Sequence, residues 1–232
     1  MLKVIGGLVI FLTLPSLLFF AFVYFKYNEP RPQGIEGEKA DVLAIKMLEA
    51  LNTEAYNNTD YLAWSFRNNH HYQWHKTKGR CKVTWSHFMV DLNLKNPKDS
   101  EVYVDRQLYR GEEKARLIKK ALDLFNNDSF WLVAPYKVFD DGTKRELIET
   151  DDGKQALLVT FTAGGSTPGD SYLWHLDDDF KPKSFQMWVD IIPIGGLEAS
   201  WNHWKETSTG ALLPTHHDLL FFSITLNNIT TK

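Results

Sequence analysis

The chain has one cysteine among its 232 residues, Cys81, so it forms no internal disulfide and no multi-cysteine metal site. It has no basic excess either, since 26 Lys plus Arg stand against 29 Asp plus Glu, a net charge of −3. A nucleic-acid binder concentrates cations on one face, and a polyanion-binding tail needs a long like-charge run; the sequence has neither. Catalytic signatures are also missing. There is no G-x-S-x-G elbow, no H-E-x-x-H pair and no P-loop. Gly164-Gly165-Ser166-Thr167-Pro168-Gly169-Asp170 has the glycines of a phosphate loop but no lysine after them, and Pro168 removes a backbone donor. It reads as a turn. Asp177-Asp178-Asp179 lacks the central glycine and distal glutamate of a calcium loop. Cys81 lies between Arg80 and Lys82 without a base partner, and reads as a packed strand residue. No catalytic residue, cofactor or metal site is expected. With 14% aromatic residues the chain is not disordered.

A long hydrophobic run is present, at the N-terminus. Val4 to Phe25 is 22 residues without a charge. As a helix it would be ~33 Å long, enough for a hydrocarbon core of ~30 Å. Lys3 and Lys26 flank it, with Tyr24 and Tyr27 at its exit. A cleaved signal peptide needs a shorter apolar region and a small-residue site, whereas this run ends Phe22-Val23-Tyr24-Phe25. The expectation is a retained, single-pass transmembrane anchor over residues 1–27. Asn28 to Gly37, polar and rich in Pro and Gly, reads as a linker. Residues 38–232 form the globular part.

In that part, Val42, Ile45, Leu48 and Leu51 recur at near-helical spacing with Met47 beside them, which predicts a helix over Asp41–Asn52. A second helix is predicted over Glu112–Phe125, with Ala115, Ile118, Ala121, Leu122 and Phe125 inward and Asn126-Asn127-Asp128 as its stop. The remainder reads as strands and short turns. Asn68-Asn69 joins Tyr61–Arg67 to His71–Lys76 as a hairpin, Cys81–Leu94 reads as one long bent strand, and Phe130–Phe139 reads as a further strand. Leu213–Phe222 and Ser223–Ile229 close the chain. Short turns make such strands antiparallel neighbours. Several carry large apolar groups on both faces, as in Met187 beside Trp188, so both faces of the sheet need cover.

Histidines are the main candidates for chemistry. His70, His71 and His75 cluster, and His216-His217 follow much later. Four residues along a strand separate His71 from His75 by roughly 13 Å, too far for one ion. A metal-assisted hydrolase would need three of these, or of His87, His175 and His203, to converge from separate strands.

Three phrases carry a resemblance. They are Asn127-Asp128-Ser129-Phe130-Trp131-Leu132 followed by Pro135-Tyr136-Lys137; Thr167-Pro168-Gly169-Asp170-Ser171-Tyr172; and Trp201-x-x-Trp204 followed by Gly210 and Leu213-Pro214-Thr215. With the Trp64 and Trp74 segment, the chain from about Glu38 onward resembles uncharacterised bacterial proteins similar to the outer-membrane lipoprotein-carrier, or lipoprotein-sorting, family. The resemblance implies an α+β fold: a strongly curved antiparallel sheet, an unclosed β-barrel, wrapped around helices, here preceded by one N-terminal transmembrane helix. It implies an apolar concave cavity that holds acyl chains, and no catalytic residues. Trp64, Trp74, Trp85, Trp131, Trp174, Trp188 and Trp204 are the candidates to line that cavity. The expected function is a membrane-anchored, non-enzymatic domain facing the periplasm from the inner membrane, with a lipid or acylated protein as partner. The alternatives are a protein-interaction domain of an envelope complex and the metal-assisted hydrolase. A filled core with an exposed aromatic patch would favour the interaction domain.

Overall fold

The computed structural model describes residues 2–164 and 166–232, with side chains from Thr13 onward. Helix α1 (Leu2–Tyr27) is followed by strand β1 (Ile35–Glu36), helix α2 (Glu38–Ala50) and helix α3 (Thr53–Asn58). Then come β2 (Tyr61–Phe66), β3 (His70–His75), β4 (Arg80–Trp85), β5 (Phe88–Asn93), β6 (Glu101–Val104) and β7 (Gln107–Tyr109). Helix α4 (Lys114–Val133) leads to β8 (Thr143–Glu149), β9 (Gln155–Phe161), β10 (Ser171–Leu176), β11 (Pro182–Trp188) and β12 (Leu197–Ser200). A small ribbon, β13 (Trp204–Glu206) and β14 (Leu212–Pro214), precedes β15 (His216–Leu219) and β16 (Phe222–Thr231).

One antiparallel sheet of 14 strands runs β1-β8-β9-β10-β11-β12-β15-β16-β2-β3-β4-β5-β6-β7, and its edges β1 and β7 do not pair. A single core joins Trp64, Trp74 and Val83 of β2–β4 to Leu157, Trp174 and Phe185 of β9–β11, with α2 and α4 between them. A flat sheet of this width could not bring those strands to one core; it must curl around the helices.

The expected transmembrane helix ahead of the sheet is overturned. Among the described residues, no helix is long and apolar enough to cross a membrane. The part of the expected span from Val4 to Leu12 lies outside the residues whose side chains are described. Helix α1 takes in this span within Leu2–Tyr27. It carries Pro15, Ser16 and Lys26, and Val23 is buried in the protein.

Three local expectations also change. In α2 the buried residues are Ala40, Leu43, Ala44 and Met47, while Val42 and Ile45 are exposed. The Asp41 carboxylate receives the Arg145 Nε–H at 2.6 Å. Helix α4 runs through Asn126-Asn127-Asp128 to Val133 and turns the predicted strand at Phe130 into helix, continued by a 3-10 turn over Ala134–Lys137. Its inner face is Leu117, Ile118, Ala121 and Phe125, with Ala115 outward. The long strand at Cys81–Leu94 is the hairpin β4–β5, bent back through Ser86 at φ 50°.

The segment read as a linker lies along the outer face of β8–β11. Glu29 N–H donates to the Gly195 carbonyl at 2.8 Å, and Trp188 Nε1–H donates to the Glu29 carbonyl at 2.8 Å. Arg31 pairs with Glu146 and donates to Ser171 Oγ at 3.1 Å. This strap covers a small apolar cluster of Ile148, Ala156, Leu158 and Leu173, with Trp188 packed against it. Strands apolar on both faces are thereby explained: helices cover one face and the strap part of the other. Gly195 permits the approach, because a Cβ there would sit 2.6 Å from the Glu29 carbonyl oxygen.

Candidate functional site

The concave interior, expected to be a cavity, is filled by the protein's own side chains. Trp64, Trp74 and Trp85 lie on β2, β3 and β4 and are buried, as are Trp174 and the unpredicted Trp201. Phe125 of α4 packs on Trp74 edge-to-face at 5.2 Å. Trp131, half-buried on α4, stacks on Trp201 at 6.0 Å. Trp188 faces outward under the strap, and Trp204 lies on the β13–β14 ribbon with its Nε1–H on the Pro182 carbonyl at 3.1 Å. Six of the predicted seven therefore lie in or against one packed core, and Trp188 lies elsewhere. The indole N–H groups of Trp64, Trp74, Trp85, Trp174 and Trp201 have no acceptor among the described residues. Two open grooves lie at the surface. One, of about 310 Å³, carries Asp151 and Asp152 beside Lys154 and Lys183. The other, of about 200 Å³, lies on the outer face of β2–β4.

The histidines take separate roles, and among the described residues no group of three His, Cys, Asp or Glu could hold a metal ion. His70 Nδ1 bonds the buried Asp128 carboxylate at 2.7 Å, and the Tyr72 hydroxyl donates to the same oxygen. Burial and the Asp128 charge raise the Tyr72 phenol far above its ordinary value. His71 points to the opposite face, where its Nδ1 meets Ser65 Oγ at 2.8 Å. No carboxylate orients that imidazole, so the pair lacks the third member of a nucleophilic triad.

His217 is completely buried, between Trp131 and Trp201. Its Nδ1 lies 2.9 Å from the Ser200 carbonyl and its Nε2 lies 2.8 Å from the Trp131 carbonyl. Both nitrogens can donate only as imidazolium, which favours the proton; burial opposes it more strongly and pushes the pKa down to about 4 from 6.5. His216 and His203 push it the same way as burial. In the unfolded chain the group binds its proton more tightly, so stability is lost as pH falls from 6.5 toward 4. The expected loss is up to about 3 kcal/mol, read by urea denaturation at the two ends of that window. His217→Gln should flatten the slope; a slope that survives the substitution would assign it to other groups.

Apolar residues are concentrated outside the core as well. Along α1, Leu17, Leu18, Phe22 and Phe25 are 57–85% exposed. Phe19 packs against Phe221, at the tip of the β15–β16 hairpin, with ring centroids 6.0 Å apart. Phe221 is 71% exposed and Phe222 50%, and Leu220 turns the hairpin at φ 40°. Ile191, also 71% exposed, lies in the neighbouring β11–β12 loop that receives the strap. Cations border the patch: Arg67 stands over the Phe222 ring at 5.4 Å, and Lys26 over Phe22 and Tyr27 at 5.5 and 5.1 Å.

No protein-family model matches the sequence, and no curated protein matches it. A crystal structure of a DUF1329 family protein from Desulfovibrio piger is similar at 11% identity and a TM-score of 0.44, covering 84% of this chain and 94% of that one.

Proposed function

We propose that this chain is a non-enzymatic binding domain for lipid or acylated ligands, and that it meets them at its rim instead of in an internal cavity. The supporting observation is the composition of the β15–β16 turn. A hairpin turn normally uses Gly, Asn or Asp, because these tolerate positive φ and face water. Here Leu220 adopts φ 40°, and the turn presents Phe221 and Phe222 beside the exposed apolar residues of α1. Such a contiguous apolar surface calls for an apolar covering phase. Aromatic rings flanked by Lys26 and Arg67 suit the boundary between acyl chains and anionic headgroups. The resemblance to lipoprotein-sorting proteins points to the same ligand class.

The test is co-sedimentation of the full chain with vesicles of phosphatidylcholine and phosphatidylglycerol. The protein should pellet with vesicles and stay in solution without them. Phe221→Asp combined with Phe222→Asp should lower the partition constant at least about tenfold, since each buried Phe contributes ~1.5–3 kcal/mol. Both side chains are exposed, so the melting temperature should hold. A double variant that pellets like the wild type would remove the rim from the contact. If the wild type fails to pellet, the reading falls and a protein-interaction domain replaces it.

A further inference from the structure

On the outer face of β2–β4, away from the apolar rim, is a groove of about 200 Å³ whose polar side chains are Ser65, His71, Gln73, Lys82, Thr84 and Asn228. Register brings them together: Ser65 lies opposite His71, His71 opposite Thr84, and Gln73 opposite Lys82. Asn228 arrives by a bulge. The pairing of β16 with β2 shifts between Asn227 and Thr230, and Asn228 takes φ 55°. That irregularity directs its amide at Ser65, with Nδ2 to Oγ at 3.2 Å. Bulges re-aim side chains in this way beside binding sites.

The hydrogen bonds set the polarity of the groove. Ser65 Oγ accepts from Asn228 and also meets His71 Nδ1 at 2.8 Å. In its Nε2–H tautomer His71 presents a donor from its exposed edge. Lys82 adds an ammonium with no ion pair or hydrogen bond among the described residues. Its cross-strand neighbour Asp91 is held by Arg80, Nη2 to Oδ1 at 3.0 Å. No carboxylate lines the groove, although the chain carries a net charge of −3.

We propose that this groove binds a small oxyanion of the phosphate class, with Lys82 and His71 as its principal contacts and the Asn228 amide and Thr84 hydroxyl as further donors. Convergent donors, among them a Lys82 ammonium and a Thr84 hydroxyl with no acceptor among the described residues, suit a tetrahedral anion. The ligand is a soluble one. Asn228 is six residues along β16 from Phe222, roughly 20 Å, beyond the ~5–10 Å that a rim lying in the headgroup boundary would enter.

Titration of the full chain with inorganic phosphate, at ionic strength held constant with chloride, tests this by NMR of the His71 ring. A saturable shift is expected with phosphate and none with chloride alone. Lys82→Gln should weaken binding roughly tenfold, the usual weight of a charge-assisted hydrogen bond. Asn228→Ala should weaken it less, and Lys98→Gln, at an exposed site elsewhere, should leave it unchanged. Vesicles containing phosphatidate should not compete with phosphate for the groove; if they do, the ligand is a lipid headgroup and the soluble assignment fails. No saturable shift, or equal binding by Lys82→Gln, would overturn the site. None of these results depends on whether the rim binds lipid.

Discussion

Replacing Asp128 by alanine is expected to cost about 3 to 5 kcal/mol of folding stability, because it breaks up a buried polar network and leaves its partners unpaired. Asp128 is 1% exposed and lies on α4 where the helix crosses β3. One carboxylate oxygen takes the Tyr72 hydroxyl and His70 Nδ1; the other takes Asn127 Nδ2 at 2.8 Å. Removing the carboxylate leaves the phenol, itself 1% exposed, only the Leu124 carbonyl at 3.3 Å as an acceptor. A buried donor without its acceptor costs the whole of its lost hydration, whereas removing both partners together can be nearly neutral. The double variant Asp128→Leu with Tyr72→Phe should therefore recover most of the loss. Urea denaturation of the three proteins decides the matter. A loss under about 1 kcal/mol for Asp128→Ala would mean that the network is satisfied by water and fastens nothing.

That residue also shows why part of the fold was hidden in the sequence. Asn126-Asn127-Asp128 has the composition of a helix stop, since short polar side chains compete for the backbone. The helix continues because the Asp128 carboxylate is engaged by Tyr72 and His70, residues 56 and 58 positions away. Tertiary pairing overrides local propensity there, and it carries the aromatic run at Phe130 into the helix as well. By contrast, the hairpin at Asn68-Asn69 was legible but its register was not: a two-residue turn there would set Ser65 opposite Tyr72, whereas the loop takes in Arg67 and Ser65 lies opposite His71. Asn228 was not legible, since no local signal announces a bulge. The turns at Ser86 and Leu220 were misplaced: the first hairpin was read as continuous strand, and the second was divided between Phe222 and Ser223, past its true turn at Leu220.

The aromatic residues divide along the same line. Period-two alternation says that one face of each strand is apolar; it does not say whether that face meets a ligand, a helix or a strap. Trp188 and Met187 are neighbours in sequence, yet Met187 joins the main core and Trp188 the small outer cluster under the strap. What covers a face is settled by elements far away in the chain, here α4 for the concave side and residues 28–36 for part of the convex side.

Trp201→Ala should be the other severe substitution, at about 3 to 5 kcal/mol, the range for deleting a buried Trp from a packed core. Trp201 has no exposed surface, and its ring is within 6.2 Å, centroid to centroid, of Phe130, Trp131, Trp174, Phe185 and His217. Those residues come from α4, β10, β11 and β15, so the cavity would open where the sheet meets the C-terminal half of the helix. In a chain of this size such a loss lowers the melting temperature by about 10 °C or more. Trp201→Phe separates packing from polarity. The Trp201 N–H has no partner among the described residues, so losing it forfeits no hydrogen bond there and only the missing ring volume counts. Trp204→Phe is the contrasting case, because its N–H donates to the Pro182 carbonyl, which would be left without that donor. If the interior is a core, Trp201→Phe should retain most of the stability that Trp201→Ala loses. If Trp201→Ala melts like the wild type and gains affinity for palmitate, the interior is a ligand cavity and the rim is not where lipid binds.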